Sequence, residues 1–240
     1  MTMVELYRNV GLDIYEQVHY AHGEHIDEVE QILSWYEGAG SRVLDVGCSA
    51  GLHALEFAGR GHRVTGIDLE PSAVRLARER NRERHLAAHF HSIDIQHHSL
   101  ARLGRFDLIY SIGNVLSHVS KERLRTVLQK IKRCCAPDGT LLFDIFIIGP
   151  EFREELRDDE HGIVWKRKLD AATGMIHLQG AFTAYAVTQD FQVWGYTVEE
   201  VVTILQRAGF TAIEYAESLD FPDGGMTTGN PFCLRFRARG

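Results

Sequence analysis

The segment from Val43 to Gly51, Val-Leu-Asp-Val-Gly-Cys-Ser-Ala-Gly, places the strongest constraint on the fold of this chain. A short apolar run ends in an acid, a loop of small residues follows, and an amphipathic stretch begins at Leu52. This order predicts a strand, a tight turn and a helix. Small residues let a ligand approach the backbone, and the helix start offers N–H groups and a positive dipole end. The segment therefore predicts a site for a nucleotide-type or anion-type ligand.

Charge and cysteine usage narrow the class of protein. The 240 residues carry a net charge of −7, which argues against a nucleic-acid partner and favours a small molecule. None of the four cysteines forms a Cys-x-x-Cys pair, and no apolar run is long enough to span a membrane or to serve as a signal peptide. We expect a cytoplasmic protein with free thiols, a monomer or homodimer, bound neither to membrane nor to nucleic acid.

Strands and helices alternate five times in the first part of the chain. The predicted strands are 42–46, 63–68, 88–94, 106–112 and 140–148, and helices are predicted at 51–58, 71–82 and 120–135. Alternation of this kind indicates an α/β fold with a doubly wound, mostly parallel sheet.

The rest of the chain departs from that alternation. Residues 1–37 have the helical apolar period and predict an N-terminal helical cap. Residues 150–196 predict a small antiparallel β insertion, with strands at 163–169, 175–187 and 191–196 and turn signals at 172–174 and 188–190. Too short for a separate domain, this insertion is predicted to form a lid on a single domain covering 1–240. A capping box at Thr197 predicts a last helix, and two strands close the chain.

Three acids fall at or near three successive strand ends. The spacing Asp45-x-Gly47-x-Ser49-x-Gly51 lacks the Gly-x-Gly-x-x-Gly fingerprint of dinucleotide sites. Asp68 can take both hydroxyls of a ribose, and Asp94 can accept an adenine amine. Singly, Asp68 or Asp94 can equally be a helix or turn cap. Together, three acids suit a ligand that has an amine and a ribose but no phosphate.

These motifs resemble those of the class I S-adenosylmethionine-dependent methyltransferases. The nine-residue segment is similar to the first motif of that superfamily, and Thr65-Gly66-Ile67-Asp68-Leu69-Glu70-Pro71-Ser72 is similar to its second. The resemblance runs from Val43 to the end of the chain. It implies a Rossmann-like seven-stranded sheet with the last strand antiparallel, S-adenosyl-L-methionine as cofactor and S-adenosyl-L-homocysteine as product. Ser49 departs from the pattern, because a glycine is common there.

The resemblance also assigns residues to the cofactor. It implies that Asp68 holds the ribose hydroxyls, that Leu69 packs on the adenine, and that Asp94 with Ile95 recognises the adenine edge. Asp45 lies by the amino group or steadies the loop. The full set of cofactor residues implied is Tyr15, Asp45, Gly47, Cys48, Ser49, Gly51, Asp68, Leu69, Asp94, Ile95 and Ser111.

The segment from Tyr110 to Val119 bears on the methyl acceptor. It lacks the Asn/Asp-Pro-Pro-aromatic motif of nucleobase-amine methyltransferases, and Ser111 is not the acid of metal-dependent catechol-type enzymes. Gly-Asn-x-Leu-x-His, ending at His118, resembles glycine N-methyltransferase-like enzymes. We take His118, Asn114 and Tyr20 as candidate catalytic residues, with His118 as base or acceptor ligand. Alternatively, His118 caps the next helix or holds the loop.

Aromatic residues are expected to close the site. Tyr15 or Tyr20 is predicted to fold over the cofactor, and the insertion supplies Trp165, Tyr185, Trp194 and Tyr196, of which Trp165 is expected in the lid core. Histidines at 85, 89, 91, 97 and 98 lack partners at a known ligand spacing, so no metal is predicted.

The sequence thus predicts an enzyme that transfers a methyl group to a small molecule, with an amine or amino-acid nitrogen favoured as acceptor. The alternatives are an O- or C-methyltransferase of a specialised metabolite, or a non-catalytic cofactor-binding protein on the same fold.

Overall fold

The structure is a computed structural model that describes residues 2–3, 10–36, 38–149, 152–159, 162–216 and 233–239. The helices are α1 (Val10–His19), α2 (Glu24–Trp35), α3 (Leu52–Gly59), α4 (Pro71–Glu83), α5 (Lys121–Cys134) and α6 (Val198–Ala208). The strands are β1 (Thr2–Met3), β2 (Arg42–Val46), β3 (Arg63–Asp68), β4 (Ala88–Ser92), β5 (Phe106–Ser111), β6 (Cys135–Phe146), β7 (Glu155–Asp158), β8 (Ile163–Asp170), β9 (Met175–Phe182), β10 (Val187–Trp194), β11 (Thr211–Ala216) and β12 (Cys233–Arg239).

A seven-stranded sheet forms the centre, in the order β11-β12-β6-β5-β2-β3-β4. Strand β12 runs antiparallel to both neighbours, and all other central pairs are parallel. This confirms the predicted doubly wound sheet and its antiparallel last strand. The strand order changes direction between β2 and β5, and ligands of open α/β sheets bind at the carboxyl ends of the strands beside such a point.

Two apolar clusters cover the two faces of this sheet. Neighbouring residues of β2 point to opposite faces, so Val43 packs with α2, α3 and α4 while Leu44 packs with α5 and α6. Strand β5 repeats the pattern with Leu108 and Ile109. All four side chains are 0% exposed. Burial on both faces explains why these strands read as continuous apolar runs.

Strand β6 begins earlier than the predicted 140–148. Its pairing with β5 moves from Phe106↔Cys135 to Leu108↔Thr140, so residues 136–139 bulge out of the ladder. Asp138, in the predicted turn, has a left-handed φ of 62° at this bulge. Strand β4 ends at Ser92, two residues before the predicted end at Asp94.

The insertion forms a second sheet in the order β1-β10-β9-β8-β7, antiparallel except for the β1–β10 pair. Two sequence predictions here are wrong. Four insertion strands are present where three were predicted, and residues 188–190 lie inside β10 rather than in a turn. The chain reverses instead at Thr183–Tyr185, where Ala186 takes a φ of 53°. Nothing in the side chain of an alanine signals that conformation.

The N-terminal segment contains the predicted helices, α1 and α2. The prediction of helix over all of 1–37 is wrong at Thr2–Met3, which pairs with β10. Helix α1 packs through Ile14 and Val18 onto Phe182 of the second sheet. Glu16 of α1 also accepts two hydrogen bonds from the Arg80 guanidinium, at 2.6 and 2.7 Å. Helix α1 therefore joins the second sheet to α4.

The loop between β2 and α3 requires left-handed backbone at three positions. Gly47 and Gly51 have φ of 86° and 84°, and Ser49 has φ of 47°. A Cβ on Gly47 would lie 2.4 Å from Cγ2 of Val115, so this glycine is needed for close approach as well as conformation. Glycine adopts this left-handed conformation more easily than serine does. Ser49 therefore carries a conformational cost that the glycine common at this position would not.

We expect Gly47→Ala to lower the free energy of unfolding by about 1–3 kcal/mol more than Gly61→Ala. Gly61 also has a left-handed φ, 91°, but a Cβ there meets nothing within 4 Å. The difference between the two variants therefore isolates the clash with Val115. Urea unfolding of both measures it, and equal losses would mean that Val115 moves aside at no cost.

Candidate functional site

A cavity of about 210 Å³ opens where β2, β3 and β5 end; it is called the main cavity because it is the larger of two that adjoin there. Its walls come from the β2–α3 loop, the ends of β3 and β4, the segment after β5, and α1. The lining residues are Tyr15, Val46, Gly47, Ser49, Ile67, Asp68, Leu69, Ile93, Ile95, Ile112, Gly113, Val115 and His118.

Asp68 joins the loop to the end of β3. Its Oδ2 accepts a hydrogen bond from Ser49 N and its Oδ1 accepts one from Glu70 N, both at 2.8 Å. Burial raises the pKa of Asp68, against the lowering effect of these two bonds. A hydrogen bond from Leu69 N also lowers this pKa, and because an ionised carboxylate has about four lone-pair sites, Asp68 keeps some capacity to accept another donor.

The wall beside Asp68 is apolar. Leu69 is 62% exposed, which is unusual for a leucine, and it lines the cavity with Ile93 and Ile95. A flat apolar group can therefore lie next to a carboxylate at this end of the cavity. Ile93 was not among the sequence-predicted residues.

A second cavity of about 40 Å³ adjoins the first and shares Tyr15, Gly47, Ser49 and Ile112 with it. Its remaining lining residues are mostly polar: Glu16, Tyr20, Asp45, Cys48, Ala50, Leu52 and His53.

Asp45 lies at the floor of this second cavity and is 3% exposed. Its Oδ2 accepts a hydrogen bond of 2.8 Å from the Tyr110 hydroxyl. Burial raises the pKa of Asp45 to about 7, although His53 and the Tyr110 bond lower it. This carboxyl thus changes charge near neutral pH.

The segment after β5 is held to β6 by a residue that the sequence reasoning missed. The Asp144 carboxylate accepts hydrogen bonds from Gly113 N at 3.0 Å and Asn114 N at 2.7 Å. Further along, Ser117 Oγ accepts a bond of 2.9 Å from Phe146 N. Asp144 is an acid near the end of a central strand, as Asp45 and Asp68 are. The same sequence pattern could therefore have identified it.

His118 ends a short 3-10 turn, Val115–His118, and lines the main cavity. Its ring stacks on Phe191 of β10, with centroids 5.6 Å apart and planes at 24°. Desolvation of the ring lowers the pKa of His118. The aromatic contact from the second sheet thus comes from Phe191. Tyr196, which was expected in this role, is fully buried and donates to Val119 O.

Several predicted site residues do not line either cavity. Ser111 is buried and donates from Oγ to Val46 O, linking β5 to β2. Gly51 precedes α3, and a Cβ there would lie 2.9 Å from Ala77. Asp94 accepts from Gln96 N and lies 2.6 Å from His97 Nδ1, within its own turn. Asn114 presents its backbone N–H to Asp144, and within the described ranges its buried Oδ1 has no hydrogen-bond partner.

Tyr15 and Tyr20 lie side by side, with ring centroids 5.9 Å apart. Tyr15 lines both cavities and Tyr20 the smaller one. Burial raises the pKa of Tyr20 well above its usual value, with Glu28 adding to the effect. Tyr20 therefore presents a neutral hydroxyl group to the smaller cavity.

The residues that the structure describes hold no group of three His, Cys, Asp or Glu side chains placed to bind a metal ion. They also include no helix with both the length and the apolar content to cross a membrane. Cys48, Cys134 and Cys135 are buried free thiols.

Residues 43–139 match a family described as methyltransferase domain. A curated relative, a ubiquinone biosynthesis O-methyltransferase of Glaesserella parasuis serovar 5, is 30% identical over 127 residues, which are 47% of this chain and 52% of that protein. The chain therefore spans about half the length of this relative.

Solved structures match over nearly the whole length. An amino pentose methyltransferase from Micromonospora echinaspora gives a TM-score of 0.71 at 22% identity, with 98% of both chains covered. A sugar N-methyltransferase from Streptoalloteichus gives a TM-score of 0.66 at 16% identity, with 96% of this chain and 92% of that one covered. At 22% and 16% identity, these structural similarities establish the fold of the chain.

We expect Asp45→Asn to stabilise the protein increasingly as the pH rises. A carboxyl whose pKa is near 7 when folded and about 3.9 when unfolded costs stability as the pH passes upward through that range, and asparagine does not titrate. Between pH 5 and pH 8 the free energy of unfolding of the variant, relative to wild type, should rise by about 2–3 kcal/mol. Urea unfolding at both pH values tests this; a constant difference would contradict it.

Proposed function

We propose that this chain transfers the methyl group of S-adenosyl-L-methionine to a small-molecule acceptor, because residues 43–139 match the methyltransferase domain family and solved methyltransferases share its fold. The observation that carries this proposal is Asp68 at the end of β3, facing a cavity with an apolar wall. S-adenosyl-L-methionine carries its methyl group on a cationic sulfur. When the methyl group is transferred, the sulfur leaves as a neutral thioether.

The residues of the main cavity fit the adenosine part of this donor. The remaining acceptor capacity of the Asp68 carboxylate suits the ribose hydroxyls, which would donate to it. Leu69, Ile93 and Ile95 suit the faces of an adenine ring. For Asp94 to recognise the adenine edge, as the resemblance implies, its side chain would have to leave the contact with His97.

The residues at the cavity mouth suit the acceptor. Methyl transfer is an in-line displacement, so the protein contributes mainly by orienting the nucleophile and excluding water. His118, with its lowered pKa, is neutral at neutral pH and can take the proton that the acceptor loses. For Asn114 or Tyr20 to orient an acceptor, its side chain would have to turn, because Asn114 lines neither cavity and Tyr20 lines only the smaller one.

An amine or amino-acid nitrogen is the favoured acceptor. A neutral imidazole can remove the proton from an ammonium group and leave the nitrogen lone pair free to attack. The Gly-Asn-x-Leu-x-His segment and the fold shared with a sugar N-methyltransferase support nitrogen.

The second candidate is methyl transfer to oxygen. It is favoured by the curated relative, which is named as an O-methyltransferase. Label transfer from methyl-labelled S-adenosyl-L-methionine to separate pools of amines, amino sugars and catechols distinguishes the two. Binding of donor and product without turnover on any pool would instead favour a non-catalytic protein.

This proposal includes a small-molecule partner rather than nucleic acid, a monomer or homodimer, and a cytoplasmic location. The net charge of −7 supports a small-molecule partner, and the buried free thiols support a cytoplasmic location.

Asp68→Ala should weaken binding of S-adenosyl-L-homocysteine more than tenfold, because it removes charged hydrogen bonds to the ribose. Asp190→Ala is the control, since Asp190 of β10 likewise has two polar partners, His177 and Gln179, but lines neither site cavity. Calorimetry measures both affinities. Equal affinity of Asp68→Ala and wild type would exclude this ribose site.

His118→Ala should lower kcat by about 10²-fold or more once an acceptor is known, because it removes the base. The decline of kcat at low pH should vanish with it, while donor affinity changes less than tenfold. If His118→Ala has the kcat of the wild type, His118 is not the base and its role is structural.

A further inference from the structure

The smaller cavity ends at a histidine that the proposed function does not use. His53 lies in the first turn of α3 and lines this cavity with Leu52, Asp45 and Tyr20. At about 40 Å³, the cavity has room for a group of a few atoms, since a cavity needs roughly 10–15 Å³ on the same measure to hold one water. It adjoins the main cavity beside Gly47 and Ser49.

His53 is held by an acid from another helix. Its Nε2 lies 2.5 Å from Glu28 Oε2 of α2, and the two side chains are only 12% and 11% exposed. Edge contacts with Tyr20, at 5.3 Å, and His25, at 6.1 Å, fix the ring further. A carboxylate only accepts hydrogen bonds, so Nε2 carries the hydrogen of this contact, and the negative charge of Glu28 stabilises positive charge on the ring.

The backbone here adds positive potential. Gly51 precedes α3, and no side chain caps the helix start. The first N–H groups of a helix have no partner within it, and its dipole attracts anions. His53 and the helix start thus favour an anion; of the two acids that line the cavity, Glu16 is paired with Arg80, and Asp45 is buried and accepts from Tyr110.

We propose that His53, positioned by Glu28, binds the carboxylate of the amino-acid end of S-adenosyl-L-methionine. This inference rests on the proposed function. The ammonium group of the same amino acid lies towards Asp45, so that the two charges of the zwitterion meet opposite charges within one small cavity. Glu28 is a positioning residue, because it acts on the ligand through His53.

Two ligands separate this role from a structural one. S-adenosyl-L-homocysteine has the amino-acid end, and 5′-methylthioadenosine has the same nucleoside and sulfur without it. His53→Gln should weaken binding of the first at least tenfold and change binding of the second less than twofold. Glu28→Gln should show the same selectivity with a smaller loss, about threefold or more.

The matched control is His177→Gln. His177 lies 2.5 Å from Asp190, a pair of the same kind on the second sheet, away from both cavities. This variant should bind both ligands as wild type does. Calorimetry gives the affinities, and thermal unfolding shows that each variant is folded. If His53→Gln does not fold, the test rests on Glu28→Gln. The ratio of its affinities for S-adenosyl-L-homocysteine and 5′-methylthioadenosine then decides whether His53 binds the carboxylate.

Equal losses for both ligands, or no loss for either, would overturn the role of His53. Failure of the proposed function gives a different result, because the wild-type protein would then bind neither ligand.

Discussion

The hydrogen bond from Ser49 N to the Asp68 carboxylate is the contact around which this site is organised. It folds the β2–α3 loop back over the end of β3, helped by Gly47 N and Cys48 N, which both donate to Ile67 O. It also supports Ser49 in a left-handed conformation that is costly for a residue with a Cβ. Because the other oxygen of Asp68 accepts from Glu70 N, one carboxylate sets the loop and the approach to α4 together.

The opposite wall depends on parts of the chain distant in sequence. Asp144 and Phe146 of β6 hold the segment after β5, and this positions Val115 over Gly47 and His118 at the cavity mouth. Phe191 reaches His118 from the second sheet, and α1 ties that sheet to α4. The proposed donor and acceptor regions are thus joined through packing, so changes in the second sheet can reach His118 without altering Asp68.

The sequence predicted the central sheet well because its signals are local. The bounds of β2 and β3 match the predicted strands, and the capping box at Thr197 is present. Predictions failed where the signal was weak or non-local. The turn at Ala186 has no glycine or asparagine to mark it, and Thr2–Met3 becomes a strand only by pairing with β10. Ser111 ends β5 and Asp94 comes two residues after β4, and both side chains bond to other parts of the protein.

The sequence by itself determined the α/β fold, the small-residue loop and the acids at the strand ends, because strand periodicity, glycine positions and helix caps act over a few residues. Tertiary structure decided which of these side chains share a cavity. Asp144 meets Gly113 and Asn114 across about thirty residues, and His53 meets Glu28 across twenty-five. Such pairs form only when helices pack on the sheet, because burial brings polar groups together that no local pattern connects.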